Sequence, residues 1–190
     1  TVESIDVTSN QVTGSGTTQI TINPSSNFAS ATQYYVQIPA TAFDDSSSNS
    51  YAGITDTTSL SFTTADVGAP TLSSASPADN ATAVAVDSNI VLTFSEAIDV
   101  ESGNILIKKS SDNSTVESID VTGNQVTGSG TTQITINPSS NLDSATQYYI
   151  QIPATAFDDS SSNSYAGITD TTSLSFTTAD VGGQKYQVTV

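Results

Sequence analysis

The 190-residue chain carries 19 acidic residues against three basic ones, Lys108, Lys109 and Lys185, giving a formal net charge of -16 and a pI near 4.1. Such a field repels nucleic acid and anionic membrane surfaces. Cysteine and histidine are absent, which removes disulfides, thiolate and imidazole chemistry and the usual zinc ligands, and no apolar run approaches the roughly 18 residues that a membrane-spanning helix needs.

In chain order, residues 1–67 come first and recur almost letter for letter as residues 115–181, an offset of 114 residues. Four positions differ: Ser9 becomes Gly123, Phe28 becomes Leu142, Ala29 becomes Asp143 and Val36 becomes Ile150. Residues 68–114 have no upstream counterpart. The predicted organisation is therefore a C-terminal part of a repeat at 1–67 with its first strands missing, a complete repeat at 68–181, and a tail at 182–190. A unit of this length has the usual size of one domain and closes its own core. Copying a whole body adds length to a tether and gains a catalyst little, so the repeat points to architecture.

Serine, threonine, asparagine and glycine are abundant, and apolar residues come in short alternating bursts, the period of half-buried strands. The complete unit reads as strands at 71–75, 89–94, 104–108, 116–121, 133–136, 147–152 and 173–177. Turn chemistry separates them at 77–80 (PADN), 111–114 (SDNS), 128–130 (GSG), Asn137-Pro138 and 160–164 (SSSNS). Alternation places Ile134, Ile136, Tyr148, Ile150 and Ile152 inward and leaves Thr135, Tyr149 and Gln151 outward. The run 154–158 is expected to form one helical turn. Seven or so short strands per hundred-odd residues is the pattern of an all-β, immunoglobulin-like β-sandwich of about seven or eight strands, here in tandem.

The order Ala69-Pro70, Ser-Pro-Ala-Asp at 76–79, Asn-Ile-Val-Leu-Thr-Phe-Ser-Glu at 89–96, Thr-Gln-Tyr-Tyr at 146–149, Ala-Phe-Asp-Asp at 156–159, Asn163, Gly167 and Ser-Phe-Thr-Thr at 175–178 resembles the bacterial Ig-like domains of S-layer proteins and giant repetitive surface adhesins. The resemblance covers the complete unit, and its rear part repeats in residues 1–67. It implies a sandwich fold and an extracellular structural role without implying a particular ligand. The serine-rich run 160–162 departs from the family's pattern.

The constellation that carries chemistry is acidic. With antiparallel sandwich connectivity, the loop after the second strand and the loop before the last emerge at one end, where the chain also enters the domain. Glu96, Asp99 and Glu101 from one loop, Asp158, Asp159, Asn163 and Asp170 from the other, and Asp66 from the linker 65–70 are expected to meet there. Asp66, Glu96, Asp99, Glu101, Asp158, Asp159 and Asn163 form the candidate ligand set. Oxygen-only ligands suit a hard cation, and calcium accepts six to eight oxygens in flexible geometry. Calcium at the junction would offset carboxylate repulsion and stiffen successive domains. Against this stands the plainer reading of solvated surface carboxylates, since no spacing matches an EF-hand or a glycine-rich calcium repeat.

Other chemistry finds less support. Adjacent Asp158 and Asp159 do not flank one substrate from opposite sides as glycoside hydrolysis requires, and the serines have no evident base. The Tyr34-Tyr35 and Tyr148-Tyr149 pairs read as sandwich packing rather than a sugar platform, and the threonine alternation at 131–136 as ordinary strand composition. The front copy, lacking the first strands, would expose its core face. Those strands are expected either to precede it in a parent chain or to come from another molecule. The tail segment 185–190 (KYQVTV) alternates like a strand that could add to a neighbour's edge.

The expectation is a non-enzymatic extender segment of a secreted bacterial cell-surface adhesin or extracellular matrix protein, whose partners are neighbouring repeats of the same chain. Two alternatives remain: a filament-forming subunit that polymerises by strand complementation, and a carbohydrate- or protein-binding module.

Overall fold

The computed structural model describes residues 1–182, and the tail segment 185–190 lies outside the described residues. The chain divides into two compact units at the boundary between Val67 and Gly68. All regular structure among the described residues is β, as the period-2 patterning predicts.

The second unit is a sandwich of two five-stranded sheets. Its strands are β5 (Leu72–Ser76), β6 (Ala81–Val84), β7 (Ile90–Val100), β8 (Asn104–Lys109), β9 (Thr115–Asp120), β10 (Val126–Thr127), β11 (Thr131–Ile136), β12 (Gln147–Gln151), β13 (Phe157–Asp159) and β14 (Ser175–Thr178), numbered after the four short strands of the first unit. One sheet runs β10-β11-β7-β13, with β5 also on β7; the other runs β6-β14-β12-β8-β9. All pairings are antiparallel except that of β6 with β14. Ile90, Leu92 and Phe94 from β7, Ile105 and Ile107 from β8, Ile134 and Ile136 from β11, and Tyr148, Ile150 and Phe176 from the facing sheet fill the space between them. Phe94 stands edge-on to Phe157 and Tyr165, with ring centroids 5.5 and 5.2 Å away, the geometry that ring quadrupoles favour.

Three expectations are corrected. The second strand does not stop at Phe94 but runs 11 residues to Val100, because its far half finds β13 as a partner, Phe157 opposite Val100 and Asp159 opposite Ile98. The run 154–158 forms no helix. A single bond from the Ala156 N–H to the Pro153 carbonyl turns the chain, and β13 then extends along β7. Tyr149 is buried rather than exposed: the loop after β8 folds over it, its hydroxyl donates to Asn113 Oδ1 at 3.0 Å, and Lys108 lies over its ring.

The first unit has two separate antiparallel pairs, β1 (Val12–Thr13) with β2 (Thr21–Ile22) and β3 (Gln33–Tyr35) with β4 (Ser61–Thr63). These pairings reproduce the β10-β11 and β12-β14 registers of the second unit.

Candidate metal centre

Strand alternation along β7 and β13 sorts the predicted ligands. Asp158 pairs in register with Asp99, so those two carboxylates share the outward face, whereas Asp159 lies opposite the buried Ile98. Register between β7 and β11 slips between the Thr93–Gln133 and Ile98–Thr131 pairs, so β7 bulges there. Glu96 sits in this bulge, a device that re-aims a side chain. One carboxylate oxygen of Glu96 and one of Asp159 come within 4.8 Å of each other.

Asp159 is fixed by a hairpin that its own sequence builds. Its Oδ1 accepts the Ser161 and Asn163 backbone N–H groups, both at 2.8 Å, and its Oδ2 accepts the Asn163 side-chain amide at 2.8 Å. Ser162 takes a positive φ of 65° at the tip, and the Asp159 N–H closes the turn on the Asn163 carbonyl. The Asn163 amide, then burial acting the other way, then the backbone donors set the carboxyl below the ordinary aspartate range. Asp159 is therefore anionic at neutral pH, as a calcium ligand must be. Residue for residue the hairpin recurs in the first unit, where Asp45 accepts from Ser47, Asn49 and the Asn49 amide. The loop is thus encoded locally.

Asp99 Oδ1 accepts the Ser129 hydroxyl at 3.3 Å, and the same hydroxyl accepts the Val100 N–H. Sequence reasoning took 128–130 only as a turn and missed Ser129 as a neighbour of Asp99. Glu101 is exposed beyond the end of β7, its backbone N–H bonded to the Ala156 carbonyl. Asp170 caps its own turn through four hydrogen bonds from Thr172 and Ser173. Asp66, in the first unit, accepts the Ser30 hydroxyl at 3.0 Å. Both described lysines lie on β8: Lys108 over Tyr149, and Lys109 2.7 Å from Asp143. The Glu96 and Asp159 pair supplies hard oxygen donors, the donor type calcium takes.

Two five-stranded β-sheets packed face to face around an aromatic and isoleucine core, with acidic loops, define this as an immunoglobulin-like β-sandwich protein. The chain matches the bacterial Ig-like domain over residues 1–64 and again over 66–178, and it belongs to that family. No curated protein matches the chain. Among solved structures, the crystal structure of CopC from Methylosinus trichosporium OB3b is similar at 14% identity, with 60% of this chain and 97% of that one covered and a TM-score of 0.42.

Proposed function

We propose that the chain is a structural, non-enzymatic extender segment of a secreted bacterial surface adhesin or matrix protein, in which calcium bound by the sandwich stiffens the array. The observation that carries this reading is the near-identity of residues 1–67 and 115–181 within a family of sandwich domains. Repetition lengthens a tether, and strand ladders between β7, β11 and β13 and between β8, β12 and β14 resist its extension. Glu96 and Asp159 are the proposed first ligands. A cation there offsets the repulsion of two carboxylates that the fold holds within 4.8 Å, and modules outside the cell bind calcium with dissociation constants of about 10⁻⁴ to 10⁻³ M.

Single-chain force spectroscopy with and without calcium, beside calorimetry, tests both halves of the proposal. The extender reading expects a discrete unfolding step that releases roughly 35 to 40 nm of chain, the contour of about 110 residues. The calcium reading expects saturable heat and a higher unfolding force, both lost in Glu96→Gln and Asp159→Asn. A chain that lengthens without a step overturns the first, and an absence of heat overturns the second.

A further inference from the structure

Ile90 pairs with Ile136 where β7 begins and β11 ends, and the segments just outside that pair enclose a pocket of about 170 Å³. It lies at the start of β7, whereas Glu96 and the Asp159 register lie toward the other end of that strand. Residues 86–88 form one wall and 137–141 the other. The Leu142 N–H draws them together by donating to the Val86 carbonyl at 2.8 Å. The second wall is braced. The Asn137 N–H donates to the Gln125 carbonyl at 2.8 Å, the Gln125 amide donates back to the Asn137 carbonyl at 3.0 Å, and the Ser139 N–H reaches both Glu117 carboxylate oxygens at 3.0 and 3.1 Å. Pro138 fixes its own φ between them. The same five residues at 23–27 carry the same bonds, so this wall is encoded locally.

What the pocket presents is polar and uncommitted. Asp87, Ser88, Asn137, Ser140 and Asn141 line it, and among the described residues none of these five side chains makes a hydrogen bond within the chain. Asp112, Asp120 and Asp170, by contrast, each accept from the residues that follow them. The set of groups decides the ligand class. Carboxyl oxygens accept, side-chain amides donate and accept, and hydroxyls do either. A divalent cation gathers several carboxylates, and Asp87 is the one acidic side chain on these walls. An anion would meet Asp87 in a chain of formal net charge -16, and an apolar ligand would cover polar groups on both walls without satisfying them. Neighbouring hydroxyls of a sugar both donate and accept, which suits this mixture. At roughly 30 Å³ per water the pocket has room for about six waters, the bulk of one pyranose ring and not of two.

We propose that this pocket binds one uncharged pyranose ring of a saccharide, with Asp87 accepting from a pair of neighbouring hydroxyls and the Asn137 and Asn141 amides engaging the ring from the other wall. The inference goes beyond the extender reading and stands without it, because it needs only the two walls of the second unit. Walls held by their own hydrogen bonds need no ordering when the ring enters, which keeps the cost of binding low. A ligand of about a dozen heavy atoms, at the efficiency ordinary for small molecules, then binds with a dissociation constant of about millimolar. A free sugar and the end of a glycan present the same ring.

Titration of the isotope-labelled full chain with glucose, galactose, mannose and N-acetylglucosamine, followed by amide chemical shifts, tests this. At least one of the four is expected to give saturable shifts confined to 86–88 and 137–142, with a dissociation constant of about millimolar. Asp87→Ala and Asn141→Ala, which remove side chains that hold nothing within the chain, are expected to weaken that binding about tenfold or more while the melting temperature and the other amides stay as in the wild type. Methyl glycosides of the sugar that binds separate the sources: a glycoside that binds as well as the free hexose points to a glycan end, one that fails to bind points to a free sugar, and both outcomes uphold the ring. Unchanged binding in both variants overturns the site. No confined, saturable shift with any of the four sugars up to about 100 mM overturns the proposal, and so does an equal response to glycerol, which carries neighbouring hydroxyls without the ring. Shifts of the same amides with calcium chloride and with none of the sugars assign the pocket to a cation and overturn it as well.

Discussion

Asp79 reaches across 96 positions of chain to Ser175, its Oδ1 accepting the Ser175 N–H at 2.9 Å and the Ser175 hydroxyl at 3.1 Å. The Asn80 N–H returns a bond to the Ser175 carbonyl at 2.7 Å. This clasp starts the parallel pairing of β6 with β14, the one parallel ladder among the described residues. Ser175 is buried, so removing the acceptor strands a donor away from water. Asp79→Ala is expected to destabilise the second unit by about 1–3 kcal/mol, read as a lower urea midpoint at unchanged slope. A variant that melts with the wild type would mean that water replaces the carboxylate.

A second prediction concerns acid. The Ser173 hydroxyl, the Thr172 and Ser173 N–H groups and the Thr172 hydroxyl all donate to Asp170 and hold its carboxyl well below the aspartate range. A group whose folded pKa is depressed contributes stability above its unfolded pKa, about 3.9 for aspartate. That contribution declines below this pH and is lost as pH falls through the folded value. Asp170→Asn should therefore lower the melting temperature at pH 7, and the gap to the wild type should close steadily below about pH 4. Paired melts from pH 7 to pH 2 check this. A gap independent of pH would show that Asp170 matters as a shape and not as a charge.

These two sites also show what the sequence could and could not disclose. The Asp170 turn and the Asp159 hairpin are local: an aspartate followed by Thr-Thr-Ser or Ser-Ser-Ser-Asn closes on its own backbone, and both recur unchanged in the uncovered first unit. Strand alternation was equally legible where both neighbours of a strand pack on one core, as at Ile134 and Ile136. The far half of β7 was not, because Ser95-Glu96-Ala97 carries turn-like chemistry and the strand continues past it through Ile98–Val100, which pair with β13 some sixty residues on. Alternation alone places Tyr149 outward, and its burial comes from the loop that holds Asn113. Splitting the acidic set into a Glu96 and Asp159 pair and an Asp99 and Asp158 pair needed the β7-β13 register, which no local pattern specifies.

The turn between β10 and β11 separates two glycine effects. Gly128 has φ +104° and Gly130 φ +79°. A Cβ on Gly130 meets only the Asp99 carboxylate, 3.8 Å away, whereas a Cβ on Gly128 runs into the backbone carbonyl oxygen of Gln133. Gly130→Ala thus bears the left-handed backbone cost alone, about 1 kcal/mol. Gly128→Ala must in addition push apart the two arms of the turn, which the Thr131 N–H and hydroxyl close onto the Gly128 carbonyl at 3.1 and 2.7 Å. Gln133 begins the continuous stretch of β11 that pairs with β7 after the register shift and carries Ile134 and Ile136 into the core, so the displacement spreads into packed side chains that do not yield freely. Gly128→Ala is expected to cost about 3 kcal/mol or more. Urea denaturation of the two variants side by side should place Gly128→Ala well below Gly130→Ala, and equal midpoints would show that the turn relaxes without disturbing the β7-β11 register.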